Sequence, residues 1–195
     1  MVVAYIDGDR VLFASDTQSK TKNFKYRVSG AGSGGAVRHI GHGITIGFSG
    51  IIQTAEVLFF NEEWFDSLGE DKLTKRYLMQ EIIPRLYARL SDAGQLNKEA
   101  AKNGNSAMLT TFLIAQGDRL FYIDTDFSVS KVERYAVIGK LTEFALLRAD
   151  MIPASDNKEA AMAEVLREME RRTILVSAPY CFTDTAERKF KMLEA

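Results

Sequence analysis

The sequence predicts an α+β fold, a four-layer αββα sandwich in which two antiparallel sheets stack face to face and a pair of helices covers each outer side. Three observations lead there. The chain opens directly on a β-hairpin, runs of strands then alternate with pairs of helices, and the strand runs are separated by short turns of the kind that join antiparallel neighbours. At 195 residues with 46% apolar and 26% charged side chains, the chain is expected to form one domain, 1–195, around a sizeable core.

The opening hairpin, Met1 to Asp16, reads MVVAYIDGDRVLFASD. Val2, Val3, Tyr5 and Ile6 are strand formers, Asp7-Gly8 is a turn signal and Val11 to Phe13 resume the β pattern. Residues 17 to 36 are polar and glycine-rich, so they read as a long loop or extended flap. Gly30, Gly32 and Gly35 satisfy G-x-G-x-x-G, but a dinucleotide fingerprint needs a strand before it and a helix after it, and Val37 continues as a strand instead. Residues 37 to 48 form a second hairpin turning at Gly41-His42-Gly43.

An apolar helix is expected from Ile51 to Phe65, with Ile52, Ala55, Phe59 and Glu63 on one stripe and more apolar surface beside it. The next helix spans about 73 to 90, with Leu78, Ile82, Leu86 and Leu90 at successive fours. Pro84 should kink or break it near Ile82, because an interior proline removes a backbone donor. After a polar connection over 91 to 106, strands follow at Met108 to Gln116, Arg119 to Asp124, Ser128 to Val132 and Arg134 to Ile138. Helices are expected at Leu141 to Met151 and Asn157 to Arg171, the second capped by Ser155 or Asp156. Strands at Thr173 to Ala178 and Tyr180 to Thr183 precede a charged tail.

Composition narrows the function. A net charge of -1 offers no field for nucleic acid or acidic lipid, and no apolar run approaches the roughly 18 residues needed to cross a bilayer. The single Cys181 and the absence of a secretory pattern in residues 1 to 6 give a cytoplasmic expectation. Nothing in the sequence asks for a cofactor. His39 and His42 are the only histidines, without a carboxylate or thiol close by in sequence, so no metal site is expected.

The element order resembles that of proteasome-type N-terminal-nucleophile hydrolases, including the bacterial peptidase HslV. The local matches are Asp7-Gly8, Ala14-Ser15-Asp16, Gly47-Phe48-Ser49-Gly50, Ile114 to Asp124 and Tyr135-Ala-Val-Ile-Gly139. The resemblance implies a terminal threonine whose hydroxyl attacks the peptide carbonyl while its own α-amine takes the proton. It further implies an aspartate after the first hairpin, here Asp16, and an oxyanion-binding glycine N–H before the first helix, here Gly50. The chain instead starts Met1-Val2-Val3, its lysine position falls on Gly35 or Ala36, and the supporting serine is replaced by Lys140. Asp16 and Gly50 are thus the vestigial site candidates, with no catalytic residue assigned.

Nucleophile, lysine and serine are all missing, so the expectation is a catalytically silent proteasome- or HslV-like subunit. It would act by self-assembly, as a scaffold, or as partner of an active paralogue or an unfoldase-type protein. The alternative is an active peptidase using a non-standard nucleophile or unrecognised processing. Phe59, Phe60, Trp64 and Phe65 suggest a homo-oligomer, most simply a ring, contacting its neighbours through 51 to 65 and 73 to 90.

Overall fold

A computed structural model describes residues 1–20, 25–27, 33–69, 72–97, 99 and 107–193. Strands β1 (Val2–Asp7) and β2 (Arg10–Asp16) form the expected hairpin, with Gly8 in the left-handed region at the turn. The supposed loop that follows contains a short ribbon, β3 (Gln18–Lys20) with β4 (Lys25–Arg27), and then β5 (Ser33–Gly34). Gly30 and Gly32 lie outside the described residues, while Gly35 sits in the turn leading to β6 (Val37–His39). β7 (Thr45–Gly50) completes the second hairpin.

Helix α1 (Ile52–Phe59) stops six residues short of the sequence expectation. Asn61 ends it by donating its side-chain amide to the Val57 carbonyl, which competes with continued helix, and the chain goes on as a 3-10 helix over Glu62–Leu68. Thr74 caps the next helix by accepting from the Tyr77 amide. Its parts, α2 (Lys75–Tyr77), a π turn (Leu78–Ile82) and α3 (Ile83–Asp92), run on without a gap. Pro84 therefore leaves no break: the wider π turn just before it absorbs the missing N–H.

Strands β8 (Thr110–Gln116), β9 (Arg119–Ile123), β10 (Val129–Val132) and β11 (Tyr135–Ile138) come next. Helices α4 (Thr142–Ala149) and α5 (Lys158–Arg172) follow, and the cap of α5 is Asn157, whose side chain accepts from the Ala160 amide, in place of Ser155 or Asp156. The segment expected as a strand over 173 to 178 is a turn. Thr173 accepts from the Leu175 amide, and the Ala178 amide is drawn off to Glu170, so those donors are unavailable to a ladder. The chain ends in β12 (Tyr180–Asp184) and a strand the sequence reading missed, β13 (Lys191–Leu193).

One sheet has the order β11-β1-β2-β12-β13 and the other β10-β9-β8-β7-β6-β5, and every pairing is antiparallel. Three apolar clusters define the four layers. Val2, Ala4, Val11, Phe13, Leu113 and Ala115 fill the space between the sheets. Val3, Tyr5, Leu12, Ala14 and Val137 face α4 and α5, while Ile46, Phe48, Phe112 and Ile114 face α1 and the long helix. Alternate residues of β1 thus enter different cores, as a period of two requires when both faces are buried. Gly47 lets the sheets meet: a Cβ there would lie 2.9 Å from Val2 Cγ1.

The aromatic crowding read from 51 to 65 is largely resolved inside the chain itself. Phe65 is fully buried and Phe59 nearly so, Trp64 is half-buried, and Phe60 is exposed. The two sheets are also pinned by a polar bridge. His39 on β6 sits with Nδ1 2.9 Å from Thr45 Oγ1 and Nε2 2.6 Å from Thr183 Oγ1 on β12, with its ring against Phe190. Burial first, then the charge of Arg188, lowers the imidazole pKa to about 4, against a smaller upward pull from Asp184.

Two outcomes follow from this packing. Phe13→Ala empties a fully buried site between the sheets and should lower the unfolding free energy by about 3–5 kcal/mol in urea titration. For His39, the unfolded chain binds a proton near pH 6.5 and the folded chain only near 4. The bridge's stabilisation is therefore intact above pH 6.5 and lost as pH falls through that window. Between these values His39→Gln should flatten the dependence of unfolding free energy on pH by up to ~1.4 kcal/mol per unit, and equal slopes for variant and wild type would refute the assignment.

Candidate functional site

The residues that the sequence points to converge at the head of β1. Val2 pairs with Ser15 on one side and Ile138 on the other, which sets Met1 between the end of β2 and the end of β11. The α-ammonium of Met1 makes an ion pair with Asp16 Oδ1, with both groups screened from solvent, and the Asp16 amide donates to the Met1 carbonyl at 3.4 Å. The aspartate expected after the hairpin thus holds the α-amine. A charge-assisted contact removed from water is stronger than a neutral one, and it holds the first residue in place.

Gly139 closes the other side. Its φ of 140° belongs to glycine, and a Cβ built there would come within 3.1 Å of Met1 Cα. Lys140, where the resemblance puts a serine, is exposed in the turn before α4. Gly35 lies against the backbone of the same aspartate: with φ 65°, a Cβ would be 2.6 Å from the Asp16 carbonyl oxygen and 3.1 Å from Thr17 Cα. No side chain fits at 35 unless the end of β2 moves. Ala36, half-buried, is left as the only one of the two positions where a lysine could be seated.

Gly50 has a local reason to be glycine. Its φ is 138°, and a Cβ would collide with the Leu109 carbonyl oxygen at 2.3 Å and with Thr110. The next residue, Ile51, is fixed by Thr110 Oγ1, which accepts from the Ile51 amide at 2.9 Å. Gly50 therefore ends β7 against Leu109 and Thr110 at the start of β8, whereas Gly35, Gly139 and Met1 gather around Asp16.

The side chains that could replace a threonine are poorly placed. Ser15 is fully buried in β2. Cys181 is buried in β12, and burial pushes its thiol up to about 12, so it stays protonated and a poor nucleophile at neutral pH. Tyr180, paired with Asp16 across the sheet, donates to Glu170; burial above all, with the Glu170 hydrogen bond, raises its pKa. His42 is 2.8 Å from Asp66 on the surface, and His39 is committed to the inter-sheet bridge. Among the described residues no group of three or more His, Cys, Asp or Glu side chains could hold a metal ion. None of their helices is long and apolar enough to cross a membrane.

Sequence reasoning found Asp16, Gly50 and the α-amine of the first residue, but not two contacts. The ion pair of the Met1 ammonium with Asp16 leaves no mark in residue type, and the His39–Thr183 pair is separated by 144 residues. The glycine at 139 was read as part of a motif, without its contact with Met1.

No protein-family model and no curated protein sequence matches the chain. Solved structures do. BPH from Thiobacillus denitrificans in complex with epoxomicin superposes with a TM-score of 0.69 at 16% identity, over 94% of this chain and 97% of that one. HslV from Trypanosoma brucei gives 0.62 at 16% identity with the same coverage. Anbu, an ancestral β-subunit, from Yersinia bercovieri gives 0.68 at 14% identity over 99% of this chain and 86% of its own. With both sheets and both helix pairs arranged as in these proteins over nearly its whole length, the chain has the fold of the HslV- and proteasome-like N-terminal-nucleophile hydrolases.

Proposed function

We propose that this chain is a catalytically silent subunit of the HslV and proteasome type, working in the cytoplasm by self-assembly, as a scaffold or as the partner of an active particle. The observation that carries the reading is the residue beside Asp16. At the head of β1 stands Met1, which brings an α-amine to the aspartate but no hydroxyl or thiol. Catalysis of this class needs both on one residue, because the amine accepts the proton that the nucleophile gives up. The surroundings agree: glycine at 35, alanine at 36 and lysine at 140 stand where lysine and serine are expected from the resemblance. Asp16 then acts as an anchor for the chain's first residue, and Gly50 as a tight strand end.

The competing reading, a hydrolase with a non-standard nucleophile, draws on the surviving Asp16 and Gly50. The buried Ser15 and the protonated Cys181 thiol weigh against it.

Self-assembly has support in the exposed apolar surface, which includes Ile51, Phe60, Met79 and Tyr87 on the expected side and a further patch on helix α4. Helix α4 turns only Ala145 and Ala149 inward, while Phe144, Leu146 and Leu147 are exposed, with Leu141 and Met151 at its two ends. A helix that buries alanines and bares its larger side chains is built to be covered by something else, and we assign this face to a second copy of the chain, in a homo-oligomer whose closed form is a ring.

Three measurements test these assignments. The purified chain should not cleave fluorogenic peptides, and epoxomicin, the compound bound to the Thiobacillus protein, should leave its intact mass unchanged; turnover blocked by that compound would overturn catalytic silence. A threonine exposed by processing ahead of Val2 should stay close to inactive alone, and gain turnover only when combined with Ala36→Lys and Lys140→Ser. In sedimentation at micromolar concentration the chain should run as an oligomer, and Phe144→Glu with Leu147→Glu should shift it toward a monomer; a monomeric wild type would remove the assembly role.

A further inference from the structure

The opposite end of β1 from Met1 carries a surface feature that neither the fold nor the candidate site explains. Two adjoining hollows, of about 470 Å³ and 330 Å³, meet at Thr74 and Arg119, which line both. The larger is walled by Ile6, Phe121 and Val132 and edged by Lys75 and Lys131; the smaller is edged by Lys72 and Tyr77. Four cations thus face two carboxylates, Asp118 and Glu133, on a chain whose overall charge is -1. Glu133 is taken by Lys131 at 3.0 Å. Lys72, Lys75 and Arg119 have no carboxylate partner among the described residues; Arg119 spends one donor on the Leu73 carbonyl at 3.0 Å, which fixes its guanidinium between the hollows.

The setting adds two features. Lys75 is the first residue of the long helix, whose amino end favours negative charge. β10, which contributes Lys131 and Val132, is the last strand of its sheet and has one edge that no described strand pairs. A groove with an apolar wall, three cations without a carboxylate partner among the described residues and a strand edge alongside matches an extended chain with alternating acidic and apolar side chains. A lone phosphate would fill only a small part of the two hollows and leave Ile6 and Val132 uncovered.

We infer that this groove is a docking site for an acidic, extended peptide segment of a partner protein, with carboxylates on Lys72, Lys75 and Arg119 and apolar side chains against the half-buried Ile6 and Val132. The inference stands on this surface alone and holds whether or not the chain is catalytically silent.

The test uses the full chain and a fluorescein-labelled octapeptide of alternating Glu and Leu, with a Lys and Leu version as control, read by fluorescence polarisation. The acidic peptide should bind saturably, and more weakly as salt rises, while the basic one should not. The exposed pair Lys72→Glu and Lys75→Glu should weaken binding about tenfold or more, while Arg89→Glu with Lys189→Glu, the same charge change elsewhere, should leave it within about twofold. Circular dichroism would confirm that both variants are folded. No saturable binding by the wild type, or equal weakening by both pairs, would overturn the site. Inorganic phosphate or ATP binding with the same Lys72 and Lys75 dependence while the peptide does not bind would overturn the peptide assignment.

Discussion

Burial of β1 on both faces is the constraint from which the rest of this structure follows. A strand with Val2 and Ala4 in one core and Val3 and Tyr5 in another cannot be displaced without opening two cores at once. It is also paired on both edges, with β2 and β11. Its head is therefore held to a fixed position, and that is where Asp16 meets the α-ammonium. The strand behind the first residue is locked by packing, and that lock is what places the residue accurately.

The strand pattern was legible because it is written locally. Asp7-Gly8, Gly41-His42-Gly43 and Gly117-Asp118 are turn signals at the points where the chain reverses, and the alternation in Ile44 to Phe48 carries its own face assignment. Helix ends and the tail were less legible because they depend on side chains acting on distant or unexpected backbone groups. Asn61 closes α1 through one amide bond, Glu170 removes a donor from the segment before β12, and β13 exists because residues 191 to 193 find an open edge on β12. None of these leaves a periodicity to read.

The candidate site shows the same division. Residue types pointed to Asp16 and Gly50, whereas the meaning of each came from neighbours. Asp16 is occupied by a main-chain charge, and Gly50 is forced by the approach of Leu109 and Thr110. Met1 at the head of β1 looks from sequence like a missing part, yet in the fold it is packed against Gly139 and paired with Asp16. The head of β1 is thus closed by a structural contact between the first residue and the end of β2.

Gly35 carries an evolutionary consequence. A side chain at this position would meet the carbonyl of the residue that anchors the amino end, so a codon for any other residue arising there is penalised at once. Substitution at 35 is therefore epistatic with the backbone of Asp16 and Thr17, which must move first, whereas the neighbouring Ala36 already carries a side chain. Change at this corner is thus limited by main-chain geometry rather than by the packing of side chains.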